Sequence, residues 1–201
     1  MVSGQVSPGT GTGTQPRNVD GSAIAITVFS TVRWWGRPWL EVLFFVARLA
    51  PGLLNTLRQL SFIHFARWTL VRAIPYNGPP QPVPRLRYTH LFFESNFNGG
   101  WEEYIDAFSY VLTRGMGAFW GSSYGFPGSL PTEPFKAYIR RNEIEASHFY
   151  SAYPQATAAM VLAALDLEPQ VAALCARAGD LSAEQFESAW ASFLTDVQGS
   201  L

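Results

Sequence analysis

The sequence predicts an α+β fold in which strands and helices follow one another in the order βαββαβ, with further helices at the C-terminal end. Three observations carry this. Runs rich in Ile, Val, Thr and Phe recur near residues 22–32, 62–73 and 88–97. Segments with apolar residues at helical spacing lie between and after them. The 201 residues are 48% hydrophobic, 15% aromatic and only 14% charged, the reverse of a disordered composition. This length suits one globular domain with appendages.

Residues 1–21 are dominated by Gly, Ser, Thr and Pro, have no apolar period and are expected to be a flexible tail. They lack the basic start and apolar core of a secretory signal. Residues 22–32, SAIAITVFSTV, read as the first strand. Pro38 suits a first helical turn, and a helix is expected through Leu49. Pro51-Gly52 ends it, and residues 53–60 form a further segment. The apolar stretch 38–60 is interrupted by Glu41, Arg48, Asn55 and this break, so it is not read as spanning a bilayer. A helix lying on a membrane surface remains open.

Residues 62–73 and 88–97 are expected as the second and third strands. The five prolines 75, 79, 80, 82 and 84 between them fit neither ladder nor helix, so that stretch is an exposed loop. After the turn Asn98-Gly99-Gly100, Trp101, Tyr104, Ile105, Phe108 and Leu112 mark a helix. Glu102 and Glu103 favour its start electrostatically. Residues 116–120 add another turn or two. Residues 135–141, FKAYIRR, are expected as the fourth strand. Helices follow at about 155–165 and 169–178, and a capping box of Ser182 with Gln185 opens a last one through Val197. This order is the split βαβ pattern of a ferredoxin-like antiparallel sheet, with both crossover helices on one face. The expected organisation is a tail at 1–21, an α+β domain at 22–154 and a helical extension at 155–201 packed on it.

Alternation along the strands assigns the two faces. Ile63, Phe65, Thr69 and Val71, with Arg67, are expected to face the helices, as are Leu91, Phe93, Thr89 and Ser95. Phe62, His64, Ala66, Trp68 and Leu70, with Tyr88, His90, Phe92, Glu94 and Asn96, are then expected on the open face, provided no bulge intervenes. That surface would combine apolar walls with two imidazoles and a carboxyl. It fits an apolar small molecule and equally a dimer interface. His64 and Glu94 are the catalytic candidates. Trp68, Tyr88, His90, Phe92 and Asn96 are the ligand-binding candidates. Glu94 requires pairing, hydration or protonation, with Arg67, Arg72 or a histidine as partner.

Other chemistry is limited. Net charge is -1, which argues against a protein built on nucleic-acid phosphates. Cys175 is the only cysteine, so no intrachain disulfide forms; it reads as a small buried helix residue, and a reducing, cytoplasmic setting is expected. No metal site is assigned, because His64, His90 and His148 show no HExxH spacing, and a zinc site of the three histidines stays open with weak support. The chain lacks GxGxxG, GxxxxGK[ST] and GxSxG; Gly121-Ser122-Ser123-Tyr124-Gly125 is read as a loop. His148 and the aromatics up to Pro154 are expected to form a packed corner.

The strand His64-Phe65-Ala66-Arg67-Trp68, and the run from Phe92 through Glu94-Ser95-Asn96-Phe97-Asn98-Gly99, match a pattern HFARW…FESNF(D/N)G. On these residues, over about 22–154, the chain resembles a bacterial set within the dimeric α+β-barrel superfamily. The resemblance implies a homodimer and two open-face chemistries. One is haem chemistry, as in dye-decolorising peroxidases and chlorite dismutases, with His64, His90 or His148 as axial ligand. The chain departs from it, because the GxxDG peroxidase motif is absent. The other is cofactor-free oxygenation, as in antibiotic-biosynthesis monooxygenases. The competing reading is a noncatalytic interaction protein whose open face and proline-rich loop bind a protein partner or a membrane surface.

Overall fold

The computed structural model describes residues 18–50, 52 and 60–200. The segment expected at 53–60, apart from Leu60, and most of the N-terminal tail lie outside the described residues. Four strands form one antiparallel sheet: β1 (Val19–Asp20), β2 (Ala23–Thr31), β3 (Ile63–Val71) and β4 (His90–Asn98), in the spatial order β1-β2-β4-β3. Six α-helices accompany it among the described residues: α1 (Gly36–Leu49), α2 (Trp101–Val111), α3 (Thr113–Trp120), α4 (Thr132–Asn142), α5 (Ala158–Ala178) and α6 (Ala183–Asp196).

The expected fourth strand at 135–141 is instead the helix α4. Phe135, Tyr138 and Ile139 are its buried apolar residues, and their three- and four-residue spacing lines one helical face. Glu133 in the first turn and Arg140 and Arg141 in the last complement the helix dipole. Short segments take the place of that strand along the outer edge of β2. Val19 pairs with Ile24, Glu143 bridges to Val28, and Ser123 bridges to Val32. Ile144 N donates to Thr27 O and Tyr124 N to Thr31 O. An otherwise open edge is thereby covered piecemeal.

The helix-covered face carries the core. Ile26, Val28 and Val32 of the β2 segment join Leu91, Phe93 and Phe97 of β4 beneath Leu40, Tyr104, Phe108 and Trp120. Phe97 stacks on Tyr104 at 3.8 Å and Phe93 meets Trp120 at 5.1 Å. The β4 assignment thus agrees with the alternation. The β3 assignment holds at Ile63 and is overturned beyond it, and Phe62, also expected on the open face, packs on the core edge-on to Tyr104. Ile63 pairs with Phe97 but Phe65 pairs with Asn96, so His64 is an extra, bulged residue. One inserted residue reverses the parity that follows. Ala66, Trp68 and Leu70 therefore pack on the helix side, while Phe65, Arg67 and Thr69 lie with the even-numbered residues of β4.

Lys136 of α4 clamps the helical layer. Its ammonium lies 2.9 Å from carboxylate oxygens of both Glu102 and Asp106 on α2. These hydrogen bonds, first that of Asp106 and then that of Glu102, raise the Lys136 pKa above its ordinary value. The Lys136 hydrogen bond likewise lowers that of Glu102.

The two expected C-terminal helices at 155–165 and 169–178 form one helix, α5, with Pro169 inside it. Thr157 caps α5 by accepting from Met160 N, and the Ser182–Gln185 capping box opens α6 as expected. Ala158 N donates to Asn98 Oδ1, which ties the start of α5 to the end of β4. Most of α5 is exposed, Cys175 included, so the expectation of a buried cysteine is corrected. Alone among the described residues, α5 is long and apolar enough to cross a membrane by length and composition. The corner at 148–154 is held by backbone rather than aromatic packing. Ser22 N donates to Pro154 O and Ser151 N to Asp20 Oδ2, while Tyr150 and Tyr153 are exposed.

Candidate functional site

The open face gathers part of the nominated set. His90, Phe92, Glu94 and Asn96 share it, opposite Thr31, Phe29, Thr27 and Ala25 of β2. Phe29 stacks on the His90 ring at 4.6 Å, and Thr31 Oγ1 lies 3.3 Å from His90 Nδ1. Burial lowers the His90 pKa below the ordinary histidine value, which favours the neutral ring. Arg67 Nη2 donates to Glu94 Oε2 at 2.5 Å, and its guanidinium lies over the Phe92 ring. Glu94 thus has one of its expected partners, in an ion pair across the sheet surface.

The other nominated residues lie elsewhere. Trp68 is on the opposite face, for the reason the bulge supplies. His64 is exposed at the bulge and lines a groove with Leu60, Ser61 and Val161, away from the row of His90 and Glu94. Tyr88 precedes β4 and meets Tyr124 edge-on, 6.1 Å away. The imidazoles of His64 and His90 do not converge with the Glu94 carboxylate on a common cavity.

The cavity the structure presents is on the helical side. It has a volume of about 480 Å³ and lies between α1 and the α2–α3 junction. Trp68 forms part of its wall, stacked on Phe119 at 4.8 Å, and its indole N–H is buried without a hydrogen-bond partner. Leu43 and Ala47 come from the inner side of α1, and Phe108, Met116 and Phe119 from α2 and α3. The exposed Thr113 and Arg114 are also among its lining residues, and Arg114 supplies the sole charge among the described residues. No histidine, cysteine or carboxylate lines it. This volume falls in the range of small-molecule pockets, whose walls are mostly apolar with few polar groups.

Local sequence explains the opening. Gly115 lines the cavity and puts no side chain into it. At its N-terminus α1 is set close. A Cβ on Gly36 would lie 2.4 Å from Ser122 Cβ. The helices thus approach tightly at one end and leave space at the other. The helical spacing of Leu43 and Ala47 and the glycines after Leu112 were visible in the sequence, but not their meeting over Trp68.

Comparison with family models, with curated proteins and with solved structures found no match for this chain. The haem implied by the resemblance does not fit the cavity on the criterion of a histidine ligand, since His64, His90 and His148 are all absent from its lining. No cluster of metal-ligating side chains occurs among the described residues.

Proposed function

We propose that the protein binds a small molecule with an apolar body and an anionic end in the cavity between α1 and α3. The cavity itself carries this reading: about 480 Å³ with apolar walls and Arg114 as its charged group. No carboxylate lies within ion-pairing distance of Arg114 among the described residues. An anionic ligand end would supply that charge. The lining offers no acid–base pair and no thiol, so binding is a better account than catalysis.

A fluorescent long-chain fatty acid tests it. Saturable binding is expected to weaken about tenfold or more in Ala118→Trp, which fills the cavity, and several-fold in Arg114→Ala. Unchanged affinity in a folded Ala118→Trp protein defeats the proposal.

The open face supports a second reading, self-association. Phe29, His90 and Phe92 form an aromatic patch beside the Arg67–Glu94 pair, and Phe65 is 46% exposed there. Rigid aromatics with arginine are the residues that interfaces favour. We propose accordingly that this is a ferredoxin-like βαββα arrangement whose open sheet face meets a second copy, as in the dimeric α+β-barrel superfamily. Glu143 and Ile144 stand where a fourth strand would pair with β2.

A further inference from the structure

We infer that α1 is a docking helix for an anionic lipid surface, set beside the mouth of the cavity. This rests on the proposed lipophilic ligand for its purpose but not for its evidence.

The helix has two apolar sides. Leu40, Leu43 and Phe44 turn inward to the core. Trp35, Trp39, Val42, Val46 and Leu49 recur at spacings of four and three on an outward side, with Phe45 next to them, and Trp39 at the inner border of this stripe donates its indole N–H to Ala118 O of α3. Trp35, Trp39, Val42, Val46, Leu49 and Phe45 are 41%, 48%, 58%, 41%, 69% and 61% exposed respectively, and Trp34 just before the helix is 86% exposed. A globular helix needs only one apolar stripe. The second stripe continues toward the cavity, where Tyr110 and Val111 of the lining are also exposed.

Charge selects the occupant. From Arg33 to Tyr88 the sequence holds eight arginines and one acidic residue, Glu41. From Thr89 to the end it holds five basic and thirteen acidic residues. Several of these arginines gather at α1. Arg37 and Arg72 both reach Glu41, at 3.0 and 3.2 Å. Arg33 lies over Tyr124, Tyr124 meets Tyr88, and Arg87 lies over Tyr88. Arg48 is exposed in the last turn. A helix with tryptophan and aliphatic residues outward, ringed by arginines, has the character of one lying in the interface of an anionic bilayer. Tryptophan prefers that depth because its indole is apolar with a polar edge. The competing occupant is the acidic α5–α6 hairpin of a second copy.

Full-length protein is mixed with phosphatidylcholine vesicles, with and without phosphatidylglycerol, and sedimented. Binding is expected with phosphatidylglycerol, with release by salt and a blue shift of tryptophan emission. Phe45→Ser/Leu49→Ser lies outside the cavity lining and should lower partitioning about tenfold with an unchanged melting temperature. Arg48→Ser should lower it several-fold only on anionic vesicles. Leu162→Ser/Leu165→Ser on α5 should leave it unchanged. The inference is overturned by absence of binding to anionic vesicles, or by loss of binding in the α5 variant and not the α1 variant. It is also overturned if light scattering shows an oligomer that Phe45→Ser/Leu49→Ser dissolves while vesicle binding is absent, since the stripe then belongs to a second copy. Fatty-acid binding in solution that persists while vesicle binding fails would retain the cavity and remove the docking helix.

Discussion

His90 shows how a single residue can be correctly placed by sequence and still take an unexpected role. Its parity put it on the open face, where it stands. Its neighbours are a stacked phenylalanine and a threonine hydroxyl rather than a second imidazole. Burial lowers its pKa in the folded state. Below about pH 6.5, the unfolded chain then binds the proton more readily than the folded one. This contribution to stability is present above that pH and is lost as pH falls through the unfolded value toward the lower folded one. The loss is small, because the ring is only partly buried. The stability difference between wild type and His90→Phe should therefore shrink or reverse on going from about pH 7.5 to about pH 5 in urea titrations. A difference independent of pH in that window would show that burial at this position does not act on the ring. Glu94 was equally legible as a carboxylate in need of a partner, and Arg67 was among the partners named. That Trp68 would face the helices was not legible, because strand parity depends on every residue before it.

At the scale of elements, β2, β4, α1 and α2 were readable because each keeps one period over nine or more residues. Two of the overturned readings failed for different reasons. The segment at 135–141, expected as a strand, belongs to α4. Its buried set, with Glu133 before it and Arg140 and Arg141 after it, has helical spacing and helix-end charges. The β3 parity failed at one residue, His64. Because that residue is the excess one, its deletion should restore regular pairing and leave Trp68 against Phe119. We expect the His64 deletion to remain folded, with near-ultraviolet circular dichroism close to wild type and a loss of roughly 1–2 kcal/mol or less. Inserting an alanine after Leu70 would shift only the strand end and serves as a tolerated control. Inserting one after Arg67 would turn Trp68 outward and should cost about 3 kcal/mol or more, as removal of a packed aromatic does. Equal damage from the deletion and the central insertion would mean that His64 is part of the regular ladder.

For the whole molecule, the question is whether the open face can sustain a dimer, and dimensions decide what kind. Three nine-residue strands, β2, β4 and β3, make the face. At about 3.3 Å per residue and 4.8 Å per strand they cover roughly 30 by 15 Å, or about 450 Å² of projected area per copy. Two copies would bury about 900 Å², below the roughly 1,200 Å² at which stable complexes begin. A face-to-face dimer should therefore be weak and concentration-dependent rather than obligate. The Arg67–Glu94 pair adds little beyond orientation, since its partners keep much of their exposure. The affinity must come from Phe29, Phe65 and Phe92. Light scattering across a wide concentration series should show the mean mass rising toward two chains, and Phe65→Asp should hold it at one without changing the melting temperature by more than a few degrees. A mass that stays at one chain throughout, or association untouched by Phe65→Asp, would leave the aromatic patch without that role. A tight dimer at low concentration that Phe65→Asp still dissolves would instead require contacts beyond these three strands.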